Sequence, residues 1–395
     1  MTATMSTLPS TPGDLLDLIR SGQAATRADL GRITGLSRTA VTSRLAALIA
    51  HDLVVDGEEG PSTGGRPATR LHFNRDAGVV LAGAIGRSRS QLAVCDLDGV
   101  ELAGGSYDQE LGVVPEVLMP EVAARFTTLL ADAGRAPDDV RGIGLSIPGT
   151  VDLTRGASLA SPAMTGWDGV ELAPYLGDMS DAQVFVDNDA NVMALAERDG
   201  HLARFDDALL LKASTGFGLG IVADGRLIRG HLGGAGEIGH TKVVAADGLV
   251  CRCGDVGCVE AIAGGWALVQ QLRAGGREVT HVRDLVALAL QGDQEARGLL
   301  RESGRRIGEV VAAAVNLLNP QAIVVGGDMS AGFDVFAAGL RETLYPRATT
   351  LSTRDLEILP STHGDRAGVV GCAALALASV LSPAAVNELV TTVSA

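Results

Sequence analysis

The spacing of apolar positions along this chain changes near residue 78. Before it the period is helical: Leu15, Leu18 and Ile19 recur in "GDLLDLIRSG", and Val41, Leu45 and Leu48 share one face of "RTAVTSRLAALIA". Thr26, with Asp29 three residues on, resembles a capping box that opens a short helix. Gly35 interrupts, and Ser37 is placed to cap a second helix. Thr39 and Ser43 point away from the apolar face, beside Arg38 and Thr42. A short helix, a glycine turn and a helix with a small polar outer face form a helix-turn-helix pattern. "LVVDGEEGPSTGGRPATRLHFN" then reads as strand, glycine-rich loop, strand: a wing. Its tip holds Arg66 between Gly and Pro, free of bulky neighbours and able to enter a narrow minor groove. An ordinary helical hairpin would account for the helices but not for the wing. Ser37, Arg38, Thr39, Thr42, Ser43, Arg44 and Arg66 are therefore the candidate DNA contacts.

From Gly78 onward strands alternate with helices. "GVVLAGAIG" and "SQLAVCDLDG" predict a strand pair, "VLMPEVAARFTTLLADAG" a helix, and "VRGIGLSIPGTVD" a buried strand. "AQVFVDNDANVMALAERDG" predicts strand, polar turn and helix. "DALLLKASTGFGLGIVADGRLI" predicts two strands around a glycine turn, and "RIGEVVAAAVNLLNPQAIVVGG" a long helix and a buried strand. This is an α/β pattern. Glycine turns recur in both halves, which predicts two similar lobes around a cleft. The expected layout is a disordered tail over 1–10 and a winged helix-turn-helix over 11–75. One lobe follows over 76–189 plus 368–395, and a second over 190–367.

Composition narrows the class. At 395 residues with 46% apolar content, the chain is long enough for two or three domains. The first residues lack a signal-peptide pattern. The longest apolar run, 367–381, is shorter than the ~20 residues that span a bilayer. A buried helix, no membrane and a soluble cytoplasmic protein are expected. Net charge is −15, yet residues 1–75 carry eight Arg against seven Asp or Glu, leaving −16 on the rest. An acidic body repels nucleic acid, so DNA contact should be confined to the N-terminal piece.

The candidate chemistry concentrates in "GGAGEIGHTKVVAADGLVCRCGDVGCVE", residues 233–260. Cys251, Cys253 and Cys258 are three of the chain's five cysteines. In a reducing compartment such a cluster points to metal rather than to disulfides. Three buried cysteines that happen to be close are the plainer alternative.

The order of "IPGTVD", "DNDANVMALAE", "STGFGLGIV", "GGAGEIGH", "CRCGDVGCVE" and "AIVVGGDMS" resembles the ROK family, bacterial sugar kinases and repressors built on the actin-like, ribonuclease H-like sugar-kinase fold. The resemblance runs from about residue 78 to 382, and the winged helix ending in "GGRP" resembles its NagC/XylR-like repressor branch. It implies His240 as fourth ligand beside Cys251, Cys253 and Cys258 to one structural zinc per chain. It also implies a sugar held by Asn188, Asp189, Glu237, His240 and Glu260, convergent polar groups that a polyol requires. In the family's kinases Asp-x-Gly-Gly-Thr meets the nucleotide phosphates. Here Ala84 stands for the Asp, Arg87 for the second Gly and Ser88 for the Thr, which implies lost metal positioning and no phosphoryl transfer. Asp189, the family's general base, remains as a vestige. Ala163 replaces an Asn found in many relatives, so the effector is expected to differ from glucose or the pocket to be degraded. The expected function is a sugar-responsive repressor binding palindromic operator DNA as a homodimer or dimer of dimers. An ATP-dependent sugar kinase with an accessory DNA-binding domain, and a regulator whose body takes a protein partner, are the alternatives.

Overall fold

The structure, a computed structural model, describes residues 9–59, 69–110, 112–159, 164 and 166–392. Residues 1–8 of the expected tail, Arg66 at the wing tip, and Ala163 lie outside the described residues. The N-terminal unit is built from local capping. Thr11 and Asp14 form a capping box at the start of helix Pro12–Arg20. Thr26 caps Arg27–Thr34 by accepting the Asp29 amide at 3.1 Å, while the Asp29 carboxylate takes the Thr26 hydroxyl and the Ala25 amide. Gly35 ends that helix at φ 70°, a left-handed conformation that favours glycine. Ser37 then caps helix Arg38–Ala50 through the Ala40 amide. Val41, Leu45 and Leu48 are buried, and strands Val54–Glu59 and Thr69–Phe73 pair antiparallel behind them.

The body consists of two five-stranded mixed sheets of the same topology. In the first, the spatial order is Glu101–Asp108, Arg89–Asp96, Val79–Ile85, Val140–Ile147, Val184–Asn188. In the second it is Arg226–Leu227, Phe217–Ala223, Ala208–Ala213, Ala322–Gly326, Glu357–Pro360. Each begins with antiparallel hairpins and continues with two parallel strands. Strand Val79–Ile85 is buried on both faces, which is why its sequence is a continuous apolar run. Its Leu81 packs with Phe126 of helix Pro115–Asp132, whereas Val80 and Ala82 pack with helix Ala367–Val380. Helix Asp189–Ala196 lies between the lobes. Val192 joins the core of the first, while Met193 and Ala194 join Leu210 and Val324 of the second.

Helix Ala367–Val380, the predicted buried helix, crosses the back of the first sheet at very short range. A Cβ on Gly144 would lie 2.0 Å from the Cys372 carbonyl oxygen, and one on Gly371 would lie 1.8 Å from that of Val192. The stretch 368–395, expected wholly within the first lobe, divides in two. Helix Pro383–Thr392 leaves the sheet and packs on helix Pro12–Arg20, where the Gly13 amide donates to Asn387 Oδ1 at 2.8 Å. One apolar core therefore runs from Leu15, Leu45 and Leu48, through Val386, to Val369 and Ala82. No single helix among the described residues is long and apolar enough to cross a membrane.

Candidate functional site

The cleft between the lobes encloses a cavity of about 970 Å³. Loops and helix starts from both lobes bring their polar groups to it.

The first is "VDNDAN". Strand Val184–Asn188 passes directly into helix Asp189–Ala196, without the predicted turn, because Asn188 itself is the cap. Its Oδ1 accepts from the Ala190 and Asn191 amides, and its Nδ2 donates to the Gly149 carbonyl at 2.9 Å. The amide thus helps to hold the loop, and the residue also lines the cleft. Asp189 Oδ2 meets Lys212 Nζ at 2.6 Å. Burial pulls the basicity of Lys212 down, but the adjacent Asp189 carboxylate more than compensates and raises it. The two form a close ion pair inside the cleft. Lys212 was not among the sequence candidates. The signal was present: it is the one charged residue in the buried strand Ala208–Ala213.

Glu260, at the start of a short helix, is buried. The Phe217 amide donates to its Oε2 at 3.0 Å and Trp266 Nε1 to its Oε1 at 3.2 Å, with the Arg252 guanidinium 5.0 Å from the Trp266 ring. Glu237 faces it from the loop before. Burial raises its carboxyl above the ordinary range, partly offset by His240 and by Thr150, whose hydroxyl donates at 3.2 Å from the first lobe. A second link between lobes, also unforeseen, is Arg229 Nε to the buried Asp187 Oδ2 at 2.7 Å.

His240, Cys251, Cys253 and Cys258 converge, with their ligand atoms all within 4.8 Å of one another. Cys253 and Cys258 sulfurs are 3.7 Å apart, and Cys251 Sγ is 3.8 Å from His240 Nδ1. A tetrahedron with Zn–S bonds of ~2.3 Å has S–S edges of ~3.8 Å, so the set fits such an ion. His240 Nε2 lies 3.9 Å from Glu237 Oε2. The ring can therefore give Nδ1 to a metal while Nε2 faces the cleft. Lys242 Nζ donates to Cys258 Sγ at 3.1 Å, an outer contact suited to a thiolate.

Ala84, Arg87 and Arg89 also line the cleft, at the hairpin joining strands Val79–Ile85 and Arg89–Asp96, and Arg87 feels the Glu260 charge. In the N-terminal unit, Ser37, Arg38, Thr39, Thr42 and Ser43 are exposed on one helix, while Arg44 Nη1 donates to its own helix at the Ala40 carbonyl, 3.2 Å away.

These features define a two-lobed protein of the sugar-kinase fold with an N-terminal head built like a winged helix-turn-helix. Residues 81–379 match the ROK family model, and the chain belongs to the ROK family. It is 28% identical to the xylose repressor of Caldicellulosiruptor bescii over 93% of this chain and 95% of that one. A crystal structure of a ROK family transcriptional regulator, a homologue of the Escherichia coli MLC protein, superposes with TM-score 0.79 at 26% identity, covering 96% of this chain and 98% of that one. A ROK glucokinase from Streptomyces griseus, in complex with glucose and AMPPNP, superposes with TM-score 0.65 at 28% identity, covering 76% and 99%. Relatives thus include both regulators and kinases, and the two regulators named here cover more than nine-tenths of this chain against 76% for the glucokinase.

Proposed function

We propose that this protein is a DNA-binding transcriptional repressor whose operator affinity changes when a sugar binds between the lobes. The observation that supports this most is the continuous core linking cleft and head. Gly364, Asp365 and Gly368 line the cleft at the start of helix Ala367–Val380, and the chain beyond packs on helix Pro12–Arg20. A sugar that favours one lobe orientation would shift that helix, and with it the head. Coupling requires a difference in affinity between two arrangements, since equal binding to both changes nothing. Glu237, His240, Glu260 and Asp189 are the sugar contacts, Asn188 acts mainly by holding their loop, and one structural zinc holds the segment 240–258. Isothermal titration with hexoses, pentoses and amino sugars should find at least one binder that also releases operator DNA. A binder with no effect on DNA would overturn the coupling.

Catalysis is absent on this reading. Ala84 supplies no carboxylate for a nucleotide's metal, and Lys212 neutralises Asp189. Each loss removes an electrostatic element of phosphoryl transfer. A coupled ADP-release assay over the same sugars should stay at the no-enzyme blank, and turnover with any of them would make the chain a kinase.

The head acts as half of a symmetric dimer. Two recognition helices related by a twofold axis demand a palindrome with half-sites about one helical turn apart, or a multiple of that. Thr39 and Ser43 read bases in the major groove, and Arg66 the minor groove. Selection from random DNA should return such a palindrome. Thr39→Ala should relax one position per half-site, whereas Arg66→Ala should weaken binding and reduce the preference for A·T at the wing. Recovery of no palindrome would refute the assignment.

A further inference from the structure

Residues 74–78 join the wing strand Thr69–Phe73 to the central strand Val79–Ile85 of the first sheet. A segment between two units is ordinarily solvated, and the units reorient about it. Here it is bonded along its length. The Asn74 amide donates to the Leu53 carbonyl of the head at 3.0 Å, and the Ala77 amide to the Asn74 carbonyl at 3.3 Å. The next three carbonyls are held by the first lobe. The Leu97 amide, just past strand Arg89–Asp96, donates to the Arg75 carbonyl at 3.0 Å. Arg135, in the loop after helix Pro115–Asp132, gives Nη1 to the Asp76 carbonyl at 3.1 Å and Nη2 to Asp76 Oδ1 at 3.2 Å. Arg141, in strand Val140–Ile147, aims Nε and Nη2 at the Ala77 carbonyl, 3.2 and 2.8 Å away. Neither arginine lines the cleft. The head has a second attachment, where helix Pro383–Thr392 packs on helix Pro12–Arg20. There the Gly13 amide donates to Asn387 Oδ1, and a Cβ on Gly13 would lie 2.3 Å from the Pro383 carbonyl oxygen. One attachment leaves a unit free to swivel, and two at separate points do not.

We infer that Arg135 and Arg141 are positioning residues for DNA recognition: with helix Pro383–Thr392 they lock the head to the first lobe as one rigid unit, which accepts operator half-sites at one spacing only. The reason is geometric. Each base pair added between half-sites moves one of them by ~3.4 Å and turns it by ~34° about the duplex axis. A head on a loose segment follows that displacement, and a head fixed at two points cannot. Ordering the segment before DNA arrives also removes an entropy cost from binding itself. A guanidinium suits the task, because its planar fork holds a carbonyl, or a carbonyl and a carboxylate together, in a fixed direction. The same rigidity would pass a movement of the first lobe to the head undamped. This inference rests on the DNA-binding reading above and deepens it.

Fluorescence anisotropy tests it with the full chain and the palindrome recovered by selection, its spacer lengthened or shortened by one and two base pairs. The unaltered protein should lose ~10-fold or more in affinity at the first step, since misplacing a half-site forfeits at least one base contact. The double variant Arg135→Ala, Arg141→Ala should bind the best spacing more weakly and the others comparatively better, flattening the profile to within ~3-fold. Arg141→Lys keeps one donor for the Ala77 carbonyl and should retain part of the steepness. Should the double variant bind no operator, the single variants Arg135→Ala and Arg141→Ala carry the comparison. Hydrogen exchange at the Leu97 and Ala77 amides should be slow in the unaltered protein and faster in the variants, while far-ultraviolet circular dichroism and the urea midpoint of the body stay unchanged. A profile as steep in the variants as in the unaltered protein would overturn the positioning role and leave the DNA-binding reading standing. So would a flat profile in the unaltered protein, or unprotected Leu97 and Ala77 amides. No selected operator at all would overturn both readings.

Discussion

Native mass spectrometry should find one zinc ion per chain, and Cys253→Ser should abolish it together with sugar binding. The first half follows from ligand geometry: four donor atoms within 4.8 Å of one another, with a sulfur–sulfur edge of 3.7 Å, match a closed tetrahedral site. The second half follows from where those donors sit. His240 lies three residues from Glu237, and Cys258 two residues from Glu260. Without an ion, the segment between them is shaped by two 3₁₀ turns, isolated bridges and a few backbone hydrogen bonds, with no regular helix or strand. Burial pushes the Cys251 thiol up to about 12 and raises Cys258 as well, so these two thiols hold their protons at physiological pH when no metal is bound. Binding a cation must therefore expel protons, and zinc uptake by the stripped protein should weaken as pH falls. Structural zinc sites contribute ~10 kcal/mol or more to the folding of small domains, so the variant should lose sugar affinity by well over ~100-fold as Glu237, His240 and Glu260 lose their common frame. Carefully purified, folded protein devoid of zinc would refute the assignment. So would a Cys253→Ser variant that keeps both metal and sugar.

Gly371→Ala should be among the most damaging substitutions of one methyl group in the chain. The added Cβ would lie 1.8 Å from the Val192 carbonyl oxygen and 2.4 Å from its carbon. Both are backbone atoms in packed helices, so relief requires moving helix Ala367–Val380 away from Asp189–Ala196. Overpacking a core costs ~1–3 kcal/mol, and more where backbone must shift, so a loss of ~3 kcal/mol or more in apparent urea stability is expected. The same movement would disturb the seat of the head, since helix Pro383–Thr392 follows directly. Operator affinity should therefore fall even under conditions where the body stays folded. Gly298→Ala is the contrast. It lies in helix Gln294–Leu318 with open space around its Cβ direction, and removing a helical glycine there should stabilise by ~0.5–1 kcal/mol. Equal behaviour of the two variants would contradict the packing described.

The amino-acid sequence by itself determined what depends on near neighbours. The period of Val41, Leu45 and Leu48, the Ser37 cap and the Gly35 stop made the helix-turn-helix legible, because caps and amphipathic faces are settled within a turn or two of chain. The apolar runs at 79–85, 140–147 and 322–326 announced buried strands for the same reason. The spacing of Cys251, Cys253 and Cys258 announced a cluster, and the motif order its family. Tertiary structure decided the rest. Glu101–Asp108 was missed, although it alternates exposed and half-buried positions, because an edge strand declares itself only through its partner. Asn188 read as a sugar ligand from its motif, and it lines the cleft, but that it also caps a helix and donates to the Gly149 carbonyl, 39 residues away in sequence, was not legible there. Lys212 against Asp189, Arg229 against Asp187 and the C-terminal helix against Pro12–Arg20 are pairings across 23, 42 and about 370 residues. No local rule fixes such partners. They follow from how two sheets of like topology close on a shared helix, and that choice is made by packing, where the close contacts at Gly144 and Gly371 leave one arrangement free of clashes.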